Sequence, residues 1–309
     1  MAADGRILRV GLVLLAIMPG LSGTAFAQTD LSGQWRALLH EDIGHRLDEA
    51  AAAPGISGAG GPWVGDYTGL PINDAARFKA ESWDPRIYTA KEHQTILQPG
   101  AYWILSPGGV RISNIIDDAT EQVVGVTLFR AGLAGSTSRT IWMDGRPAPP
   151  PYAPHTWQGF STGTWQGNSL KVRTTNLKAG IIRRNGVPAS DQAILTEYFV
   201  RHGGYLTITR IVEDPIYLVE PFVSTVTWVH DPLMRLLPSP NGVIVDEVPG
   251  QHRAFVPHHL PGTNTALKEY ADKFGLPPDA TRGGPETAYP EFQRRLRGLT
   301  PGQTKTETR

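Results

Sequence analysis

The chain has 309 residues, of which 40% are hydrophobic and 19% charged, with 29 lysines and arginines against 29 aspartates and glutamates. That balance excludes a chain disordered throughout, and the lack of basic excess removes the electrostatic footprint of a nucleic-acid binder. Cysteine is absent, which excludes disulfides, thiolate metal sites, a cysteine nucleophile and lipidation at a cysteine.

Residues 1–27 have the layout of a signal peptide. Arg6 and Arg9 supply positive charge, Val10 to Met18 an apolar core, and Ala25-Phe26-Ala27 a small-residue cleavage site before Gln28. The apolar run is too short to span a bilayer, so the expectation is a cleaved, periplasmic or secreted bacterial protein with no integral membrane anchor. Residues 28–309 are then expected to form a single β-rich domain.

Leu31 to Leu39 reads as the first strand. His40, Glu41, Asp42 and His45 follow it as a strand-to-loop junction, because a metal site needs three or four converging ligands; no metal is expected. Ala50 to Pro62 lacks periodicity and reads as a loop. Asn73 is placed to cap a helix from Asp74 to Ser82, which Trp83-Asp84-Pro85 ends. Strands then dominate: Tyr102–Leu105, Val110–Ile116, Glu121–Phe129, Arg139–Met143, Thr156–Trp165, Ser169–Leu177, Ala193–His202, Tyr205–Glu213 and Phe222–His230. After Asp231-Pro232 the chain turns irregular. Val243–Val245 reads as one more strand, Thr265 to Phe274 as a helix stopped by Gly275, and Pro290 to Leu299 as another. The fold class is all-β, an antiparallel lipocalin-like barrel or sandwich with a few short peripheral helices, wrapped by residues 231–309.

Chemistry is densest between Arg139 and Asn176. Prolines at 147, 149, 150, 151 and 154 cannot donate ladder hydrogen bonds and mark a stiff connecting loop that delivers His155 to the next strand. An imidazole held so is a candidate proton shuttle, with Glu197 or Asp144 as its carboxylate. It is equally a histidine whose ring nitrogens satisfy loop backbone groups. Asp144 precedes Gly145, as a residue closing its own turn does. Glu197 alternates with Leu195 and Phe199, which sets a carboxylate among apolar neighbours, either as a general acid or as a partner for Arg201 or Arg210. Trp142, Arg146, Tyr152 and Trp157 are candidate ligand contacts around the loop. Arg183 and Arg184 are either a bidentate clamp for a carboxylate or phosphate, or a solvated hairpin tip. No nucleophile elbow, phosphate loop, dinucleotide fingerprint or zinc-protease helix motif occurs, and the adjacent His258-His259 would face opposite ways on a strand.

Gly33-x-Trp35 resembles the motif that opens the lipocalin barrel, where the tryptophan plugs one end; Gly163-x-Trp165 repeats it. Longer runs resemble an uncharacterised family of exported bacterial β-rich proteins. They are Asp66 to Asn73 (DYTGLPIN), Arg139 to Pro147 (RTIWMDGRP), His155 to Gly163 (HTWQGFSTG), Arg183 to Pro188 (RRNGVP), Glu213 to Tyr217 (EDPIY), Leu260 to Asn264 (LPGTN) and Thr281 to Glu286 (TRGGPE). That resemblance implies no activity. Members carry a cysteine and a histidine near Gln94 to Gly100, where this chain reads Thr95-Ile96-Leu97-Gln98-Pro99-Gly100.

Two functions follow as expectations. One is binding of a small, partly apolar molecule in an aromatic-lined pocket. The other is a cofactor-independent hydratase, lyase or isomerase using His155 with a carboxylate. A carbohydrate-binding module would draw on the eight tryptophans, but the sequence has no visible surface ladder of them.

Overall fold

Apolar–polar alternation at a period of two gives each strand one inward and one outward face, and a sheet closed on itself buries the inward one. The computed structural model describes residues 29–38, 63–83, 100–103, 109–132, 135–183, 185–236 and 259–298. The expected signal peptide, the His40–His45 cluster, the 50–62 loop, Val243–Val245, His258 and Arg184 lie outside the described residues.

Among the described residues, nine strands form a closed barrel: β1 (Gly33–Ala37), β2 (Gly109–Ile116), β3 (Val123–Gly132), β4 (Gly135–Trp142), β5 (Phe160–Gln166), β6 (Ser169–Thr175), β9 (Ile194–His202), β10 (Tyr205–Glu213) and β11 (Phe222–His230). Round the barrel they run β1-β11-β10-β9-β6-β5-β4-β3-β2. A separate ribbon pairs β7 (Gly180–Ile181) with β8 (Pro188–Ala189). All barrel pairs are antiparallel except β4 with β5, which align in parallel with Ile141 opposite Ser161. Two parallel neighbours cannot be joined by a tight turn, so the proline-rich segment 143–159 serves as the crossover.

Several elements differ from expectation for definite reasons. Tyr102 begins no strand; Gly100–Trp103 is a four-residue helix, α2, with all four residues buried. Its aromatic residues favour strands in isolation, but burial against the barrel decides the conformation. β4 starts at Gly135, four residues before Arg139, through Gly135, Ser136, Thr137 and Ser138, a stretch without the large apolar side chains that mark the other strands. β6 stops at Thr175 because Asn176 takes a left-handed φ of 54°. β5 starts at Phe160, after Gly159 at φ 66°, and Thr156 makes only an isolated bridge to Leu177.

One end of the barrel is covered by non-barrel segments. Helix α1 (Asp74–Glu81) is capped as expected, the Ala76 amide donating to Asn73 Oδ1 at 2.9 Å. The Arg183–Pro188 turn packs beneath it. Asn185 is fully buried and donates to the Asp66 carbonyl at 2.7 Å, and a Cβ on Gly186 would lie 2.7 Å from Trp83 Cβ. The solvated-tip reading is therefore corrected for the described residues of this turn: its distal part is core. From the C-terminal side come a 3-10 turn at Thr265–Lys268 and three helices, α3 (Glu269–Phe274), α4 (Pro278–Arg282) and α5 (Pro290–Leu296). Gly275 ends α3 at φ 62°. Asn264 donates to the carbonyls of Glu81 and Trp83, both at 2.9 Å, and the Tyr67 amide donates to Thr281 at 2.8 Å, so these helices are fastened to the α1 segment.

Candidate functional site

The interior is stratified. Along β9 the inward side chains run Leu195, Glu197, Phe199; along β10, Val212, Arg210, Ile208; along β6, Leu177 (just past the strand), Thr174, Val172. The first member of each series joins an apolar cluster shared with the cap, and the third joins a second cluster deeper in the barrel. The middle members form a polar belt between the two. Arg139 and Ser161 on β4 and β5 complete it, with Arg130 on β3 and Ser224 on β11 beside them.

Within the belt, Arg139 makes an ion pair with Glu197, the two side chains being 1% and 0% exposed. The Arg139 Nε donates to Ser161 Oγ at 3.0 Å and its Nη2 to Thr174 Oγ1 at 2.6 Å, while the two hydroxyls lie 2.9 Å apart. Arg210 is the direct cross-strand neighbour of Glu197. It donates from Nε to Ser224 Oγ at 2.8 Å and from Nη1 to the Ala101 carbonyl of α2. Arg130 donates from Nη1 to the Trp103 carbonyl, its guanidinium lying 5.8 Å from the ring centres of both Trp103 and Trp228. A four-residue helix leaves its carbonyls without intrahelical partners, so the two arginines cap α2 from within the barrel. The Trp103 indole donates to Thr137 Oγ1 at 2.5 Å and fixes the helix further.

Desolvation lowers both Arg130 and Arg210 to about 10, with Glu197 opposing and the nearby Arg183 reinforcing the shift at Arg210. Both stay cationic at neutral pH. Arg183 is half-buried in the turn between β7 and β8. Three guanidiniums and one carboxylate are held almost dry, a costly arrangement for any fold. Among the described residues, Arg139 Nη1, Arg210 Nη2 and Glu197 Oε1 are buried polar atoms without hydrogen-bond partners.

The other candidates lie apart. The His155 ring bonds the Leu177 carbonyl through Nδ1 at 2.8 Å and the Pro151 carbonyl through Nε2 at 3.1 Å. Nearby, the Thr156 amide donates to Asn176 at 3.0 Å and the Gly100 amide donates to Trp157 at 2.7 Å, so this stretch is a strap seating α2. Asp144 is tied to Arg146, whose Nε lies 2.9 Å from each carboxylate oxygen and whose guanidinium lies 3.5 Å from the Trp142 ring centre. That pairing lowers the Asp144 pKa and raises that of Arg146. Among the described residues Glu197 shares no hydrogen-bond partner with His155 or Asp144, so the three form no hydrogen-bonded triad. Tyr152 is 91% exposed, and Trp157 lies under Lys178, whose Nζ is 5.2 Å from the ring centre. The aromatic side chains of the barrel interior are instead Trp35, Trp103, Phe199 and Trp228. Among the described residues no group of three or more His, Asp or Glu is placed to hold a metal ion. An open groove beside Gln34, Arg111, Ser113 and Met234 contains none of the expected site residues.

Sequence reasoning missed Arg130 and Arg139 as interior residues and treated Arg210 only as a partner. The signal was present: each sits two positions from inward apolar residues, Leu128, Ile141 and Ile208 respectively.

Both carbonyls bonded to His155 stabilise its protonated ring, Pro151 most and Leu177 next, and its pKa lies above the ordinary 6.5. A raised value means that the strap gains fully below pH about 6.5 and loses that gain as pH rises through the folded-state pKa, because the neutral ring keeps only one N–H donor. NMR titration of His155 should give a midpoint above that of an unstructured histidine; a midpoint below it would contradict the double tether.

Comparison of the chain with protein-family models, with curated proteins and with solved structures returned no match.

Proposed function

We propose that the protein is an exported carrier whose barrel binds a small, partly apolar molecule. The observation that carries this reading is the stratified interior, a polar belt between two apolar clusters, one of which includes Trp103, Phe199 and Trp228. Such an arrangement offers apolar contact together with a few fixed polar anchors, the mix that ligand sites use. A fold stabilised by packing alone would place apolar side chains at Glu197 and Arg210. The cofactor-independent enzyme built on His155 draws no support, because both ring nitrogens are engaged by backbone carbonyls.

Titration with N-phenyl-1-naphthylamine, an uncharged fluorescent probe, tests the proposal. Saturable binding of one probe per chain, with energy transfer from interior tryptophan that falls in Trp228→Phe, is expected. Absence of saturable binding, or binding unaffected by Trp228→Phe, would overturn it.

A further inference from the structure

We infer that the polar belt is an anion site, and that the carrier's ligand is an amphiphile with a carboxylate head group held by Arg139 and Arg210. The inference rests on the carrier reading and adds the ligand's chemistry.

Three features converge on it. First, among the described residues the charges of Arg139, Arg210 and Glu197 do not cancel. Arg139 and Arg210 both address one carboxylate, Glu197, the first as an ion pair and the second as its cross-strand neighbour. Their remaining partners, the hydroxyls of Ser161, Thr174 and Ser224 and the Ala101 carbonyl, are all neutral. Second, donors remain unused: Arg139 Nη1 and Arg210 Nη2 are without hydrogen-bond partners among the described residues, on side chains at most 2% exposed. A buried guanidinium with an unspent N–H carries a desolvation penalty that an anionic oxygen relieves, and guanidinium geometry suits a planar carboxylate. Third, the surroundings set the shape of the rest of the molecule. The belt is flanked by Leu195 and Val212 on one side and by Phe199 and Ile208 on the other, so a head group there must continue into an apolar tail. The Ala101 carbonyl already presents one oxygen to Arg210, which shows the kind of atom the site accepts.

The experiment compares decanoate with decan-1-ol, which share a chain and differ in charge, by displacement of N-phenyl-1-naphthylamine. Decanoate is expected to bind about ten- to a hundredfold more tightly, the range for hydrogen bonds to a charged group. Arg210→Gln should bring the two ligands close together by weakening decanoate alone. Glu197→Gln removes the internal competitor for the same guanidiniums and should tighten decanoate relative to decanol. Equal affinities in the native protein would sink the anion site while leaving the carrier intact. Failure of both ligands to displace a bound probe also removes the anion site, and failure of the probe itself removes the carrier reading with it. If Arg210→Gln does not fold, the native comparison and Glu197→Gln still decide; a Glu197→Gln protein that discriminates less than the native one overturns the proposal.

Discussion

Glu197→Ala is expected to cost about 3–5 kcal/mol of folding stability, the usual result of removing one partner of a buried ion pair. The reason lies in what remains. Arg139 keeps only the hydroxyls of Ser161 and Thr174, which solvate but do not neutralise it, and Arg210 loses its nearest negative charge. Glu197→Leu combined with Arg139→Met should recover the part of that loss that belongs to the pair, because apolar side chains of similar volume commonly replace a buried pair without penalty; the part at Arg210, still buried and without its carboxylate, remains. Urea unfolding followed by tryptophan fluorescence, at an unchanged denaturant slope, measures both. A loss below about 1 kcal/mol in Glu197→Ala would mean that the pair is not dry and that the belt is hydrated. Near-native stability in the double variant would show that the charges are dispensable for folding, which is the condition under which a binding role must account for them.

Trp35→Ala should be comparably severe, at about 3–5 kcal/mol, the range for deleting a buried aromatic. Trp35 is 0% exposed, its Nε1 donates to the Leu31 carbonyl at 3.0 Å, and its ring meets His230 edge-on at 5.1 Å. The Arg201 guanidinium covers it at 5.3 Å from the ring centre. Trp165 is only partly buried and packs against the margin of the same cluster, so Trp165→Ala should cost about 1–2 kcal/mol from lost apolar contact. Thermal melts of the two variants decide it. Equal losses would contradict the full burial of Trp35 against the partial burial of Trp165.

These two tryptophans show how far the sequence could be read. Both belong to a Gly-x-Trp triplet, and local pattern alone cannot distinguish them; only the closure of β1 between β2 and β11 buries one of them fully. Long strands with clear alternation, such as β9 and β10, were legible to within a residue or two. The all-β barrel class followed from them. What stayed hidden depends on contacts distant in sequence. α2 looks like a strand because its helical state is imposed by Arg130, Arg210 and the Trp157 carbonyl. The site showed the same division. Glu197 stood out as a carboxylate among apolar neighbours, whereas the charge of an arginine suggests the surface until strand phase is taken literally. His155 drew attention through its prolines, and the same stiffness that suggested a catalytic mount also suits a strap.

β1 has a bearing on how the molecule comes to be made. This five-residue strand pairs with β2 on one side and with β11 on the other, so its two ladders join segments near opposite ends of the barrel's sequence. The last stave cannot be set until Phe222–His230 has emerged, and until then β1 and β10, its two neighbours, both carry open edges able to recruit other chains. Contacts so far apart along the chain raise contact order and slow folding. A chain cut short before β11 would therefore be an aggregation hazard, whereas one ending just after it would hold every stave of the barrel.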